Sequence, residues 1–344
     1  MKYEFYLGSY AAAGEDSIYK YELDTETGIL QRKNAIKGIH NPSYVLLHPN
    51  EKVLYSVEEL TPEGRVAVFS RDRMLEKVFS VSSEGADPCH LALDENGEFL
   101  FVSNYTSGSL SVFRLDPDGR EIVLVDHKQH KGCGKNTERQ EGPHVHFSGI
   151  VDGILYVCDL GLDCLVSYKL DRETGKLSDV KKSVRLPDGF GPRHFAVNST
   201  HPGFIYVVGE LTGEVAVLKK NEGVYEIVQK ISSLPAFFEG DNTAAAIKFS
   251  EDGKVLFISN RGSDSITSFI VLENGMLETG DICSSGGKGP RDFEIFDKMI
   301  VAANQYTDNL AVIKYSEDTG KMQLVSKNEE VPKPVMIQVL KRKN

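Results

Sequence analysis

The chain has 344 residues, 40% of them hydrophobic, 26% charged and none tryptophan, with a formal net charge of −11 at pH 7. That acidic balance excludes a nucleic-acid binder or a protein of anionic membrane surfaces, both of which need basic patches. No run of 18 apolar residues exists and Met1 to Tyr10 (MKYEFYLGSY) lacks the apolar stretch of a secretory leader, so a soluble, cytoplasmic protein is expected.

The N-terminus opens on EFYLGSY from Glu4 and SIYKYEL from Ser17, which read as the second and third strands of a sheet, followed by a polar fourth near LQRKNAI. From Pro42 onward one pattern recurs, most clearly from Gly191 to Leu218 (GPRHFAVNSTHPGFIYVVGELTGEVAVL): a Gly-Pro, a short apolar run, a turn, a second run, a polar pair and a third run. Short β-rich runs split by Gly, Pro and Asn are consecutive antiparallel strands. The repeats open at Pro42, Pro88, Pro143, Pro192, Thr243, Pro290 and Pro334, at spacings of 46, 55, 49, 51, 47 and 44 residues. A period near 50 is the mark of a β-propeller, whose four-stranded blades cannot bury their faces alone. The expected fold is therefore all-β, a seven-bladed β-propeller forming one domain over residues 1–344.

The predicted first strands of the blades are SYVLL from Ser43, CHLAL from Cys89, HVHF from His144, RHFAV from Arg193, AAAIKF from Ala244, RDFEI from Arg291 and VMIQVL from Val335. The second strands are KVLYSV, FLFVSN, ILYVCDL, FIYVVGE, VLFISN and MIVAAN. DxxTGxL at Asp24–Leu30 and Asp171–Leu177 marks tight turns into polar fourth strands. Because the C-terminus supplies a first strand only, one blade is closed from both ends of the chain. The 55-residue interval contains a polar, Gly-rich loop, His127 to Gly142, read as flexible, with a partial lid before His144 as the alternative. Cys89, Cys133, Cys158, Cys164 and Cys283 are odd in number and lack CxxC spacing, so neither a disulfide framework nor a zinc site is expected.

In an antiparallel meander the start of the first strand and the end of the second share one edge of the blade. Seven such edges would ring one mouth of the central channel. The first group holds Tyr44, His90, His144, His146, Arg193, His194 and Arg291; the second holds Glu58, Asn104, Asp159, Glu210, Asn260, Arg261, Asn304 and Gln305. Histidine, arginine and glutamate together suit binding of an anion with acid–base chemistry. His144 and His146, two apart, would point to the same side of a strand. Each residue also has a structural reading: channel histidines that satisfy backbone groups, an Arg193–Glu210 ion pair, and turn-closing asparagines.

At these residues the chain resembles the seven-bladed propeller lactonases, a family that includes bacterial 6-phosphogluconolactonases and fungal carboxy-cis,cis-muconate cyclases. The resemblance rests on GPHVHF (Gly142 to Phe147), YVCDLGLDCLVSYKLDRETGKL (Tyr156 to Leu177), GPRHFAV with VVGEL, AAAIKFSEDGKVLFISNRGSDSI (Ala244 to Ile266), and GGKGPRDFEI with AANQYTDNLAVIKYSEDTGKM. It implies a catalytic group of one histidine, two arginines and a glutamate, matching His144 or His146, Arg193, Glu210 and Arg261. It departs from the family at Gly209-Glu210-Leu211, where Asn-Glu-Leu is common, and at FDKMIVAAN, which lacks the usual turn.

The activity so implied is hydrolysis of 6-phosphogluconolactone, a step of glucose metabolism in the pentose phosphate pathway, with no metal or organic cofactor. A small anionic sugar lactone would be the partner of a monomer or weak homodimer. His144 or His146 would activate water and Arg193 would steady the oxyanion or carboxylate; Glu210 would orient the base or shuttle the proton; Arg261, with Arg291, would pair with the phosphate. Substrate contacts are expected from His194, Arg291, Glu58, Asn104, Asp159 and Gln305. A muconate-type cyclase or lyase and a non-catalytic binding propeller are the alternatives.

Overall fold

The computed structural model describes residues 1–328 and 331–340, and every regular element among them is a strand. Blade 1 comprises Val45–Leu47, Val53–Glu58, Arg65–Ser70 and Glu76–Ser82; blade 2 comprises Pro88–Leu93, Phe99–Asn104, Ser109–Leu115 and Ile122–Gln129. Blade 3 runs through Val145–Val151, Ile154–Asp159 and Cys164–Leu170 to a fourth strand split into Leu177–Asp179 and Val184–Arg185. Blade 4 is Pro192–Ala196, Phe204–Gly209, Glu214–Asn221 and Val224–Ser232; blade 5 is Thr243–Phe249, Val255–Arg261, Ser265–Val271 and Leu277–Ser284. Blade 6 is Pro290–Phe296, Met299–Asn304, Asn309–Tyr315 and Met322–Asn328. Blade 7 joins Pro334–Val339 to Lys2–Ser9, Ile18–Asp24 and Ile29–Ile36, as the complementary termini predicted. The protein is an all-β, seven-bladed β-propeller.

The chain divides into two compact units, one with blades 1–3 (Ala11–Ser17 and Ile36–Pro192), the other with blades 4–7 (Met1–Tyr10, Ile18–Ala35 and the chain from Arg193). Within each, second strands are buried on both faces, which explains why they read as unbroken apolar runs. In FLFV, Leu100 and Val102 pack with Val53, Tyr55 and Val57 of blade 1, while Phe99 and Phe101 pack with Val145, Leu155 and Val157 of blade 3. In VLFI, Leu256 and Ile258 meet blade 4, and Val255 and Phe257 meet blade 6. The period of two thus serves two interfaces at once.

The links of three or four residues after the second strands of blades 2–6 end in left-handed residues: Gly108, Asp163, Gly213, Asp264 and Asp308, with φ between 51° and 66°. At Gly108 a Cβ would lie 2.3 Å from the Pro143 carbonyl oxygen. Aspartate tolerates this conformation when its side chain is bonded locally. Asp163 accepts the Gly189 and Gly191 amides at 2.7 and 2.8 Å, Asp264 the Gly289 amide at 2.8 Å, and Asp308 the Lys333 amide at 2.7 Å. Each carboxylate pins the chain that leads into the next first strand.

Among the described residues no helix is long and apolar enough to cross a membrane. Blade 7 is held by pairing of Phe5 with Val339 and Leu7 with Ile337. Deleting residues 335–344 exposes that strand edge and uncovers Leu7 and Phe5. The truncated chain is expected to melt well below the full chain or to aggregate; an unchanged, cooperative thermal melt would contradict this view of blade closure.

Candidate active site

At the end of the second strands of blades 2, 3, 5 and 6 one residue is fixed in a recurring way, the last residue in blades 2, 3 and 6 and the next-to-last in blade 5. Asn104 donates to the Ser83 carbonyl at 3.1 Å, Asn260 to that of Ser233 at 3.1 Å and Asn304 to that of Ser285 at 3.0 Å, each tying its blade to the end of the preceding fourth strand. In blade 3 Asp159 fills the slot and meets His130 Nδ1 at 2.6 Å. The residue that follows is Tyr105, Leu160, Arg261 or Gln305, the first of the link except for Arg261, which ends its strand, with Glu59 and Glu210 as equivalents in blades 1 and 4. Of the expected contacts, Glu58 therefore lies one position early. It occupies the buried slot and pairs with Lys77 at 2.6 Å, whereas Glu59 stands in the register of Glu210 and meets Ser43 Oγ. Asn104 and Asp159, both with no exposed surface, are likewise committed to the scaffold.

In the unit of blades 4–7 the expected charges do converge. Glu210 Oε2 lies 3.0 Å from Arg193 Nε and 3.0 Å from Arg261 Nη2, and all three side chains are buried. Arg193 also donates to the Ala245 carbonyl at 2.8 Å and to His194 Nε2 at 3.3 Å; Arg261 donates to the Thr243 and Ala244 carbonyls at 3.3 and 3.4 Å. Those carbonyls belong to the start of blade 5, where two residues bulge between Ala244 and Ile247. The bulge turns consecutive carbonyls toward two guanidinium groups and holds them rigid. Burial pulls the Arg261 guanidinium below its ordinary pKa; Glu210 opposes that shift and Arg291 adds to it. Arg291, itself at a bulge, lies over the Tyr10 ring at 5.2 Å. Two arginines thus share the Glu210 carboxylate, with Arg291 near enough to Arg261 to act on its charge. Gln305 is half-buried, its backbone N–H donating to the Gly289 carbonyl at 3.0 Å. Beside Arg261 opens a cavity of about 160 Å³ lined by Asp241, Asn242, Thr243, Gly262 and Tyr306.

In the unit of blades 1–3 the histidine pair is arranged differently from the expected strand geometry. Val145 pairs with Asp159 but Phe147 pairs with Cys158, so His146 is the extra residue of a β-bulge and His144 precedes the strand. Alternation by two does not apply across a bulge. What brings the two rings together is Tyr105, against which His144 stacks at 4.5 Å and 13° and His146 stands edge-on at 5.6 Å and 80°. His144 Nδ1 donates to the Tyr105 carbonyl at 3.1 Å, and its Nε2 faces Glu141 at 3.3 Å.

The loop read as flexible is pinned at both ends. Residues 127–129 belong to the fourth strand of blade 2. His130 sits between Asp159 and Tyr168, 2.9 Å from the phenol. Buried Gln140 donates to the Leu160 carbonyl at 2.8 Å and to Asp163 at 2.7 Å, and Asp159 Oδ1 accepts the His144 amide at 2.9 Å. Asp159 thus fixes the backbone on which His144 stands.

Sequence reasoning missed Tyr105, Glu59 and Tyr306. The first two were signalled by their position directly after the buried slot, the same column as Glu210 and Arg261. Among the described residues no group of three or more His, Cys, Asp or Glu side chains could hold a metal ion.

A family model described as "Lactonase, 7-bladed beta-propeller" matches residues 4–339. The 6-phosphogluconolactonase of Bacillus subtilis (strain 168) is 35% identical over 350 residues, covering 98% of this chain and 99% of that one. A crystal structure of a protein from Lactobacillus plantarum superposes with a TM-score of 0.91 at 31% identity, over 99% of this chain and 100% of the other. The periplasmic gluconolactonase PpgL of Pseudomonas aeruginosa gives a TM-score of 0.91 at 26% identity, over 99% of each chain.

Removing the carboxylate between two buried guanidinium groups leaves uncompensated charge in a water-poor site. Glu210→Gln is expected to cost about 3 kcal/mol or more of folding stability. Urea denaturation measures this, and a loss below about 1 kcal/mol would mean that solvent already screens the cluster.

Proposed function

The chain belongs to the seven-bladed β-propeller lactonases and is a lactonase; on that premise we propose that it opens a sugar-phosphate lactone, 6-phosphogluconolactone, to the free acid. The observation that carries this choice is the concentration of arginine, with Arg193 and Arg261 buried on one oxygen of Glu210 and Arg291 acting on Arg261, which suits a substrate bearing negative charge. The name of the Bacillus subtilis relative points to the same substrate. The gluconolactonase of Pseudomonas aeruginosa favours a second reading, a lactone without phosphate.

Lactone opening adds water to the carbonyl carbon. A base takes a proton from the attacking water, the carbonyl oxygen becomes an oxyanion, and collapse breaks the ring C–O bond as the departing alkoxide takes a proton. Arg193 is suited to the oxyanion because Glu210 and the Ala245 carbonyl already hold its guanidinium in place, so little reorganisation accompanies charge development. Arg261 and Arg291 are suited to the phosphate. Glu210 keeps the two inner arginines apart and oriented. We assign the base to His146. His144 gives one ring nitrogen to the Tyr105 carbonyl, turns the other to Glu141 and stacks flat on Tyr105, which makes it a positioning residue.

Coupled hydrolysis of freshly generated 6-phosphogluconolactone, with gluconolactone in parallel, tests both assignments. The wild type is expected to exceed the spontaneous rate with the phosphorylated substrate, and His146→Gln to lower kcat by about 100-fold or more. A wild type no faster than water with either lactone would remove the substrate proposal. A larger loss in His144→Gln than in His146→Gln would reverse the histidine roles.

A further inference from the structure

We infer that Tyr306 is the residue on which the sugar ring of the ligand stacks, with Arg261 taking its anionic end; the inference rests on the sugar-lactone reading above. Tyr306 is 64% exposed, the largest side chain lining the 160 Å³ cavity beside Arg261. It is nonetheless held in place. Its backbone amide donates to the Lys288 carbonyl at 3.0 Å, and Gly289 lies so close beneath it that a Cβ there would be 2.4 Å from the ring. Gly289 is in turn fixed by Asp264 at 2.8 Å, in the link that follows Arg261. One aspartate therefore sets the floor under the tyrosine three residues after the arginine.

The lining has the composition of a carbohydrate subsite. A sugar presents an apolar face of C–H bonds and an edge of hydroxyls; the flat ring of Tyr306 suits the first, and Asn242, Thr243 and Asp241 offer donors and acceptors to the second. Arg261 supplies a buried cation on the wall of the same cavity. The cavity is smaller than the usual ligand pocket of about 300–1,000 Å³, so it admits one ring or one end of a small polar molecule. An aromatic ring standing alone in solvent would need no explanation, but one sharing a polar cavity with a buried arginine is placed to select a ligand.

Tyr306→Phe, Tyr306→Leu and Tyr306→Ala separate the stacking face from hydroxyl and bulk. The steady-state readout is lactone hydrolysis. The binding readout is calorimetric titration with the hydrolysed product 6-phosphogluconate, with gluconate and inorganic phosphate as separate probes. The alanine and leucine variants are expected to raise KM and the product Kd by about three- to tenfold with kcat little changed, and phenylalanine to restore both. Phosphate alone should bind equally to all four proteins. Equal KM and equal product Kd across the series would overturn the stacking role while leaving lactone hydrolysis intact. Loss of phosphate binding in Tyr306→Ala would overturn it as well, by showing that the residue serves the anion site. If the wild type hydrolyses neither lactone yet binds 6-phosphogluconate through Tyr306, the subsite stands and the substrate proposal falls.

Discussion

A buried side chain at the end of the second strand, bonded to the last turn of the preceding blade, is the contact on which the rest of each unit depends. Asn104, Asn260 and Asn304 make it to the carbonyls of Ser83, Ser233 and Ser285, and Asp159 makes its counterpart to His130. With no solvent to replace it, each of these bonds is costly to lose. It joins neighbouring sheets at their polar edge, where the apolar packing of Leu100, Phe101, Phe257 and Ile258 ends. It also fixes the residue that comes next, so that Tyr105 and Arg261 leave rigid backbone rather than free loop. The left-handed aspartates three residues further on complete the frame.

On that frame the arginine–glutamate cluster is an electrostatic compromise. Two guanidinium groups come from consecutive blades, 4 and 5, and share one carboxylate oxygen, while backbone carbonyls of the blade 5 bulge take further N–H donors. The carboxylate makes the burial of two cations tolerable, and the excess of positive charge is what an anionic ligand would neutralise. A different balance holds a few residues away. Burial alone would lower the pKa of Lys248, yet Asp292 and Glu294, at 3.0 and 2.9 Å, outweigh it and raise that pKa. That lysine has two carboxylates to itself, whereas Arg193 and Arg261 share one carboxylate oxygen.

The two histidines show how one β-bulge gives different surroundings to residues that a sequence makes look equivalent. His146 is the inserted residue; His144 lies outside the strand, stacked on Tyr105 and anchored through its amide to Asp159. The same aspartate grips His130 at the other end of the intervening loop. A segment whose polarity and glycine content suggest mobility is therefore a braced support, since its bonds are made by buried His130 and Gln140 rather than by a hydrophobic stripe.

The sequence by itself determined the number of blades, the identity of their strands and the closure of blade 7 by both termini. All three follow from local rules: alternation of apolar residues, turn chemistry at Gly, Asn and Asp, and a period near 50. It also held every charged residue of the Arg193–Glu210–Arg261 cluster, because they stand at strand ends where polar residues interrupt apolar runs. Tertiary structure alone decided that Glu59 rather than Glu58 takes the register of Glu210, that His144 and His146 have different surroundings, and that Tyr306 shares a cavity with Arg261. The last two depend on a bulge and on contacts between residues about 40 positions apart, and the first on contacts 16 and 19 positions apart; a bulge shifts register without leaving a mark in the periodic pattern.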